Sequence, residues 1–147
     1  MRFHYEEIGI ATAKNFAIYD ITEKVQSAIE TSGIMNGIVI LSSKHTTCAV
    51  CVNENEERLL EDIRLFFLNL APPGGGYLHN DLHLRKNIPP DEPENAHAHI
   101  IAMMLGNSES LSVHDGMLML GNYQSVLFIE LDGPRNRYVS MMINGSI

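Results

Sequence analysis

The chain has 147 residues, with 10 Lys and Arg against 18 Asp and Glu, a formal net charge of -8 and 45% hydrophobic residues. So acidic a chain is poorly suited to following a nucleic-acid backbone or an anionic membrane surface, and no apolar run approaches the roughly 20 residues that span a bilayer. One domain over residues 1–147 is expected from the length, and an N-terminus reading Met-Arg-Phe-His-Tyr-Glu-Glu has no secretory leader, which points to the cytoplasm. The compositional oddity is seven histidines beside two cysteines and no tryptophan, since imidazole serves both metal ligation and proton transfer near neutral pH.

In chain order, Phe3 and Tyr5 alternate with polar neighbours and a second apolar run follows at Phe16–Tyr19, so a hairpin of two strands is predicted. Asp20 or Thr22 can cap a helix carrying Ile21, Val25, Ala28 and Ile29 on one face, which should end near Ser32 with Gly33 at the left-handed position. The β-branched runs from Gly37 and from Thr46 predict two adjacent buried strands, with His45 at a strand end. Cys48 and Cys51 spell CxxC, but on a strand residues three apart face opposite ways. They are therefore expected to be small core residues, without a shared metal or disulfide.

Leu59, Leu60, Ile63, Phe66, Phe67 and Leu70 predict a long amphipathic helix from Glu56 to Leu70. The segment from Ala71 to Pro93 is rich in Gly, Pro, Asn and Asp and lacks periodicity, a loop length that in a small domain is usually functional or disordered. A short helix over Asn95–Leu105 is followed by strands at 110–114, 117–120, 124–131 and 138–143, with His114-Asp115-Gly116 as a hairpin turn. Eight strand-like runs interrupted by about three helices predict an α+β domain with mixed or antiparallel sheet layers.

Four of the seven histidines, His79, His83, His97 and His99, fall within 21 residues together with Asp81, Asp91 and Glu92. Imidazole nitrogen with carboxylate oxygen is the donor set that zinc and related ions take. Spacing opposes a simple site, because residues two apart on a helix, such as His97 and His99, lie on nearly opposite sides. His45 and the Asn53-Glu54-Asn55 run stand at opposite ends of one predicted strand, some 27 Å apart, so a site joining them needs another segment or another subunit. Arg135 and Arg137 follow a long apolar strand and suit an anionic group such as phosphate. No phosphate-cradling glycine motif is present. His4 and His114 read as incidental surface residues.

His45-Thr-Thr, Asn53-Glu-Asn, Asn80-Asp-Leu-His83, Asn95-Ala-His-Ala-His99, Leu120-Gly-Asn-Tyr-Gln124 and Glu130-Leu-Asp-Gly-Pro-Arg135, in that order, resemble the YjbQ family, also called secondary thiamine-phosphate synthases. The resemblance spans nearly the whole chain, with one departure where Asn122-Tyr123 stands for the family's usual Thr-Trp. It implies an α+β fold, a homotrimer and a weak or secondary activity joining pyrimidine diphosphate and thiazole phosphate precursors. On this resemblance His45, Glu54 and Asp81 are expected to act in catalysis, and Asn53, Asn55, Gly121, Gln124 and Arg135 to hold a small phosphorylated metabolite. His83, His97 and His99 are expected to bind a divalent ion, zinc or magnesium. The alternatives are a metal-dependent hydrolase or lyase on another phosphorylated metabolite, or a non-catalytic trimer holding metal or ligand.

Overall fold

A computed structural model describes residues 1–147 as eight strands and three helices arranged in two antiparallel sheets. Strand β1 (Arg2–Ala11) turns Ile8 and Ile10 inward and pairs along its whole length with β8 (Asn136–Ser146), whose Arg137, Val139, Met141 and Ile143 alternate inward. With β3 (Asn36–Ser43), β5 (Ser108–His114) and β6 (Met117–Leu118) they form a five-stranded sheet in the order β1-β8-β3-β5-β6. The second sheet has the order β2-β7-β4, with β2 spanning Ala17–Asp20, β4 Cys48–Asn53 and β7 Ser125–Glu130.

The predicted hairpin between the first two strands does not form. The partner of β1 comes from the far end of the chain, and β2 crosses to the other sheet to pair with β7. Likewise β3 and β4 are not ladder neighbours but lie in opposite sheets, so their apolar runs meet face to face. Val39, Leu41, Cys48, Val50, Val126, Phe128, Val139, Met141 and Ile143 fill the space between the sheets. The His114-Asp115-Gly116 turn joins β5 to β6 as predicted, with positive φ at Asp115 and Gly116, as a tight hairpin requires.

Helix α1 (Thr22–Ser32) closes one end of this core with Val25 and Ile29, and ends on Gly33 at φ 68°. The other face of the three-stranded sheet carries Ala49, Ile129 and Leu131 against Ala98, Ile101 and Ala102 of α3 (Ala96–Leu105). This places Cys48 in one core and Cys51 beside the other, both as free thiols, as their spacing predicts. Burial pushes them up to about 12 and about 11, respectively.

Helix α2 (Glu57–Leu70) is amphipathic but has no buried residue; Phe67 packs on the α3 cluster while Phe66 and Leu70 stay more than half exposed. Glu56 caps it by accepting hydrogen bonds from the amides of Arg58 and Leu59. The loop between α2 and α3 contains two 3-10 turns, Leu78–Asn80 and Leu82–Leu84. It is tied to α3 where Asn80 Oδ1 accepts from the Ala96 amide at 3.1 Å. No helix is long and apolar enough to cross a membrane.

Candidate functional site

Strands β7 and β8 alternate hydrophobic residues into the core, and where that alternation reaches their facing ends it places Glu130 and Arg137 inside. Arg137 donates from Nε and NH2 to the two carboxylate oxygens of Glu130 at 2.7 and 2.6 Å, with both side chains almost wholly buried. A buried pair of this kind is tolerated only when the remaining polar atoms are also satisfied. Here Thr12 Oγ1 and the Asp132 amide donate to the same carboxylate, each at 2.8 Å. Burial alone would raise the Glu130 carboxyl; Arg137, the Asp132 amide and Thr12 outweigh it and hold the group below its ordinary range.

The same NH2 also donates to Thr47 Oγ1 at 2.9 Å, and the Leu131 amide donates to the Thr47 carbonyl. The pair thus clamps the His45-Thr46-Thr47 segment to the turn that follows β7. Gly133 of that turn sits so close to the Lys14 carbonyl and Glu130 Cγ that a Cβ has no room. Gly133–Pro134 is a cis peptide. Asp132 and Arg135 project from this turn: Arg135 donates from Nε to the Asp132 carbonyl at 2.8 Å and from NH2 to Asp132 Oδ2 at 2.9 Å, with its side chain 45% exposed. Asn95 Nδ2 donates to the same Asp132 Oδ2 at 2.8 Å, while its own Oδ1 is buried with no donor.

Between this turn, α3 and the α2–α3 loop lies a polar cleft of about 420 Å³, in whose wall Thr46, Asn95, His99 and Arg135 stand with the carboxylates of Asp91, Glu92 and Asp132. A second cleft of similar size adjoins it, sharing Thr46 and His99 and adding His45, Cys48, Ala102, Met103 and Gly106. His45 Nε2 accepts from the Tyr138 amide at 2.8 Å, which leaves the proton of the neutral ring on Nδ1. Burial first and Arg137 second lower its pKa. His99 is lowered by burial and then by His79, whose ring meets it edge to face with centroids 4.9 Å apart. Arg85 braces this corner, donating to the His79 carbonyl at 3.2 Å and pairing with Glu92 at 2.7 Å. Both cleft imidazoles are therefore kept toward the neutral form, able to accept a proton or to donate an N–H hydrogen bond.

The residues singled out from the sequence divide between two ends of the molecule. His45, His99 and Arg135 meet around the adjoining clefts. Asn53 pairs with Ser125 and Cys48 with Glu130, so the Asn53-Glu54-Asn55 run stands about 17 Å farther along β4. There Asn55 Nδ2 donates to Asp20 Oδ2 at 3.0 Å and Glu54 is exposed. Gly121 and Gln124 close an exposed turn at that same far end, linked by hydrogen bonds in both directions. One chain does not bring them to His45. Asp81 lies at the junction of the two 3-10 turns, outside both cleft walls.

The expected metal set is not assembled within a chain. His83 is exposed on its turn, and His97 lines another cleft that shares Asp132 and Arg135 with the polar one and adds Arg64. Nowhere do three or more His, Cys, Asp or Glu side chains come together in an arrangement that could hold an ion. The cause is the helix period, which sends His97 and His99 to different sides of α3. Within one chain, His83, His97 and His99 do not form a zinc or magnesium site.

Thr46, Thr47, Asn95 and Asp132 belong to the site although residue chemistry alone did not single them out, and His79 of the histidine cluster supports it through its contact with His99. A signal for the clamp was present: Glu130 continues the inward alternation of Val126 and Phe128, and Arg137 begins that of Val139 and Met141, so opposite charges share one buried face. Fold and cleft together define a small two-sheet α+β protein with a histidine-bearing polar cleft at one end of the three-stranded sheet.

Residues 6–146 match the family described as UPF0047 protein YjbQ-like, and the chain belongs to that family. It is 37% identical over 145 residues to a UPF0047 protein of Methanothermobacter thermautotrophicus, covering 99% of this chain and 94% of the relative. It is 42% identical over 133 residues to another from Archaeoglobus fulgidus, covering 90% and 95%. Among solved structures, a YbjQ-like protein of unknown function from Sulfolobus solfataricus is similar with TM-score 0.89 at 34% identity, over 99% of both chains. A hypothetical protein from Aeropyrum pernix gives 0.88 at 37%, over 97% of this chain and 99% of the other.

Proposed function

We propose that the chain is a cytoplasmic transferase whose cleft holds a small phosphorylated metabolite, with the joining of pyrimidine diphosphate and thiazole phosphate precursors as the reaction to test first. The observation that carries this reading is Arg135, half exposed and held by Asp132 at a cleft walled by polar side chains, beside two imidazoles kept toward neutrality. In that reaction the methylene carbon of the pyrimidine loses its bond to the diphosphate oxygen as the thiazole nitrogen forms a bond to the same carbon. Arg135 and the Thr46 hydroxyl stabilise charge growing on the departing pyrophosphate. His99 at the cleft wall, as a neutral imidazole, can donate an N–H hydrogen bond to that leaving group. A divalent metal would need donors from more than one chain.

The assembly proposed is a homotrimer. Each chain exposes two different apolar faces, one on α2 with Phe66 and Leu70, the other on the outer side of the five-stranded sheet with Phe3, Tyr5 and Ile40. A closed ring joins unlike patches of successive copies, and it could carry the Asn53–Asn55 end of one chain to the cleft of the next. Sedimentation equilibrium tests this, the expected mass being three times 16.4 kDa; a monomer removes the assembly. For the activity, purified protein given both precursors, with and without chelator, is expected to release pyrophosphate and thiamine phosphate in either condition. It is also expected to restore growth of a strain lacking its main thiamine-phosphate synthase. No product and no growth remove the synthase activity.

A further inference from the structure

Strand β1 stands at the edge of the five-stranded sheet with one side unpaired. The other edge strands are shorter, two residues in β6, four in β2 and six in β4. By contrast β1 runs ten residues in unbroken register with β8 and contains no proline or lysine. A long edge without such interruptions is a template for another strand. The Thr12 amide donates to the Arg135 carbonyl at 2.9 Å, and alternation back from there turns the amides and carbonyls of the even-numbered residues of β1 toward β8. Those of Phe3, Tyr5, Glu7 and Gly9 point the other way, where no strand stands.

We propose that this edge pairs with β1 of a second copy, antiparallel about a two-fold axis at His4, so that two five-stranded sheets join edge to edge. The side chains select the register. Pairing through the free edge requires odd-numbered residues to face odd ones. With His4 on the axis, Phe3 stands opposite Tyr5 and Arg2 opposite Glu6, and symmetry makes each pair twice. Aromatic pairs then line the outer face and ion pairs the other, both favourable across strands. With Tyr5 on the axis, Arg2 would meet Ile8 and Phe3 would meet Glu7; with Glu6 on the axis, two carboxylates would face each other. All four side chains of the selected pairs are exposed in one chain, Phe3 at 65% and Tyr5 at 55%. His4 is turned to its own Glu6 at 3.2 Å, and Glu7 to Lys44 at 2.6 Å. The contact uses a strand edge, so it is independent of both the ring of three and the ligand.

Sedimentation equilibrium of the full chain at rising concentration tests it. The wild type is expected to reach twice the mass of Phe3→Pro, whether that unit is one chain of 16.4 kDa or a ring of three. Phe3→Ala is expected to weaken doubling severalfold and Phe3→Pro to abolish it, since both remove the ring of Phe3 but only proline removes the edge amide. Because that amide points away from β8, the two variants should melt alike. Arg2→Glu, which sets carboxylates opposite each other, is expected to weaken doubling severalfold, and Arg2→Glu with Glu6→Arg to restore it. These two serve if Phe3→Pro does not fold. No doubling by the wild type at any concentration, or doubling that persists in Phe3→Pro, overturns the contact. A double variant that stays as weak as Arg2→Glu overturns the register.

Discussion

Glu130→Gln keeps the shape of the side chain but removes its charge, and the structure sets what this costs. The carboxylate accepts four hydrogen bonds at 2.6 to 2.8 Å from Arg137, Thr12 and the Asp132 amide. A carboxamide offers one oxygen and aims its NH2 at one of those donors. The Arg137 guanidinium, 6% exposed, is then buried without a counter-charge. Breaking a buried pair from one side costs about 3–5 kcal/mol, against a typical domain stability of about 5–15 kcal/mol. With an unfolding entropy of about 0.3 kcal/mol/K for a chain of this length, Tm should fall by about 10–16 °C. Scanning calorimetry of both proteins at one concentration measures this, concentration being fixed because assembly also moves Tm. Thr47→Val, which removes only the hydroxyl bound to Arg137, is expected to cost about 1 kcal/mol. A Glu130→Gln loss below about 3 °C would refute the clamp as a determinant of the fold.

Two further outcomes follow from burial. His45, His97 and His99 all have folded-state pKa values below the ordinary one, chiefly through burial. The unfolded chain therefore binds more protons once pH drops below about 6.5. Stability should be full above that value and decline toward pH 5, read as Tm against pH, with the decline shallower in His45→Gln; a flat profile contradicts it. Cys48 and Cys51, pushed up to about 12 and about 11, should alkylate with iodoacetamide at pH 8 about 100-fold more slowly in the native protein than in urea. Comparable rates in the two states would contradict their burial.

Local chemistry was legible where local rules decide. Gly33 terminates α1, the His114-Asp115-Gly116 turn makes a hairpin, and the opposite orientation of Cys48 and Cys51 follows from the strand period. Pairing was not, because β1 finds its partner more than a hundred residues away and β2 pairs in the other sheet, and nothing in a single strand's alternation names its neighbour. The amphipathic face of α2 was visible, but not that Phe66 and Leu70 stay uncovered in one chain. In the site, the spacing of His97 and His99 already argued against a common ion, and the structure sends them to different clefts. Asn95 and Asp132 stand within recognisable motifs but carry no role there, because an amide and a carboxylate beside turns read as ordinary turn chemistry.

The central claim is that the cleft at the end of the three-stranded sheet holds a phosphorylated ligand through Arg135. Calorimetric titration of pyrophosphate into the wild type and into Arg135→Gln, each in chelator, tests it most directly. The account predicts saturable binding of one pyrophosphate per chain, weakened at least about tenfold by the loss of charge-assisted hydrogen bonds in Arg135→Gln. No binding by the wild type, or equal binding by the two proteins, would contradict it.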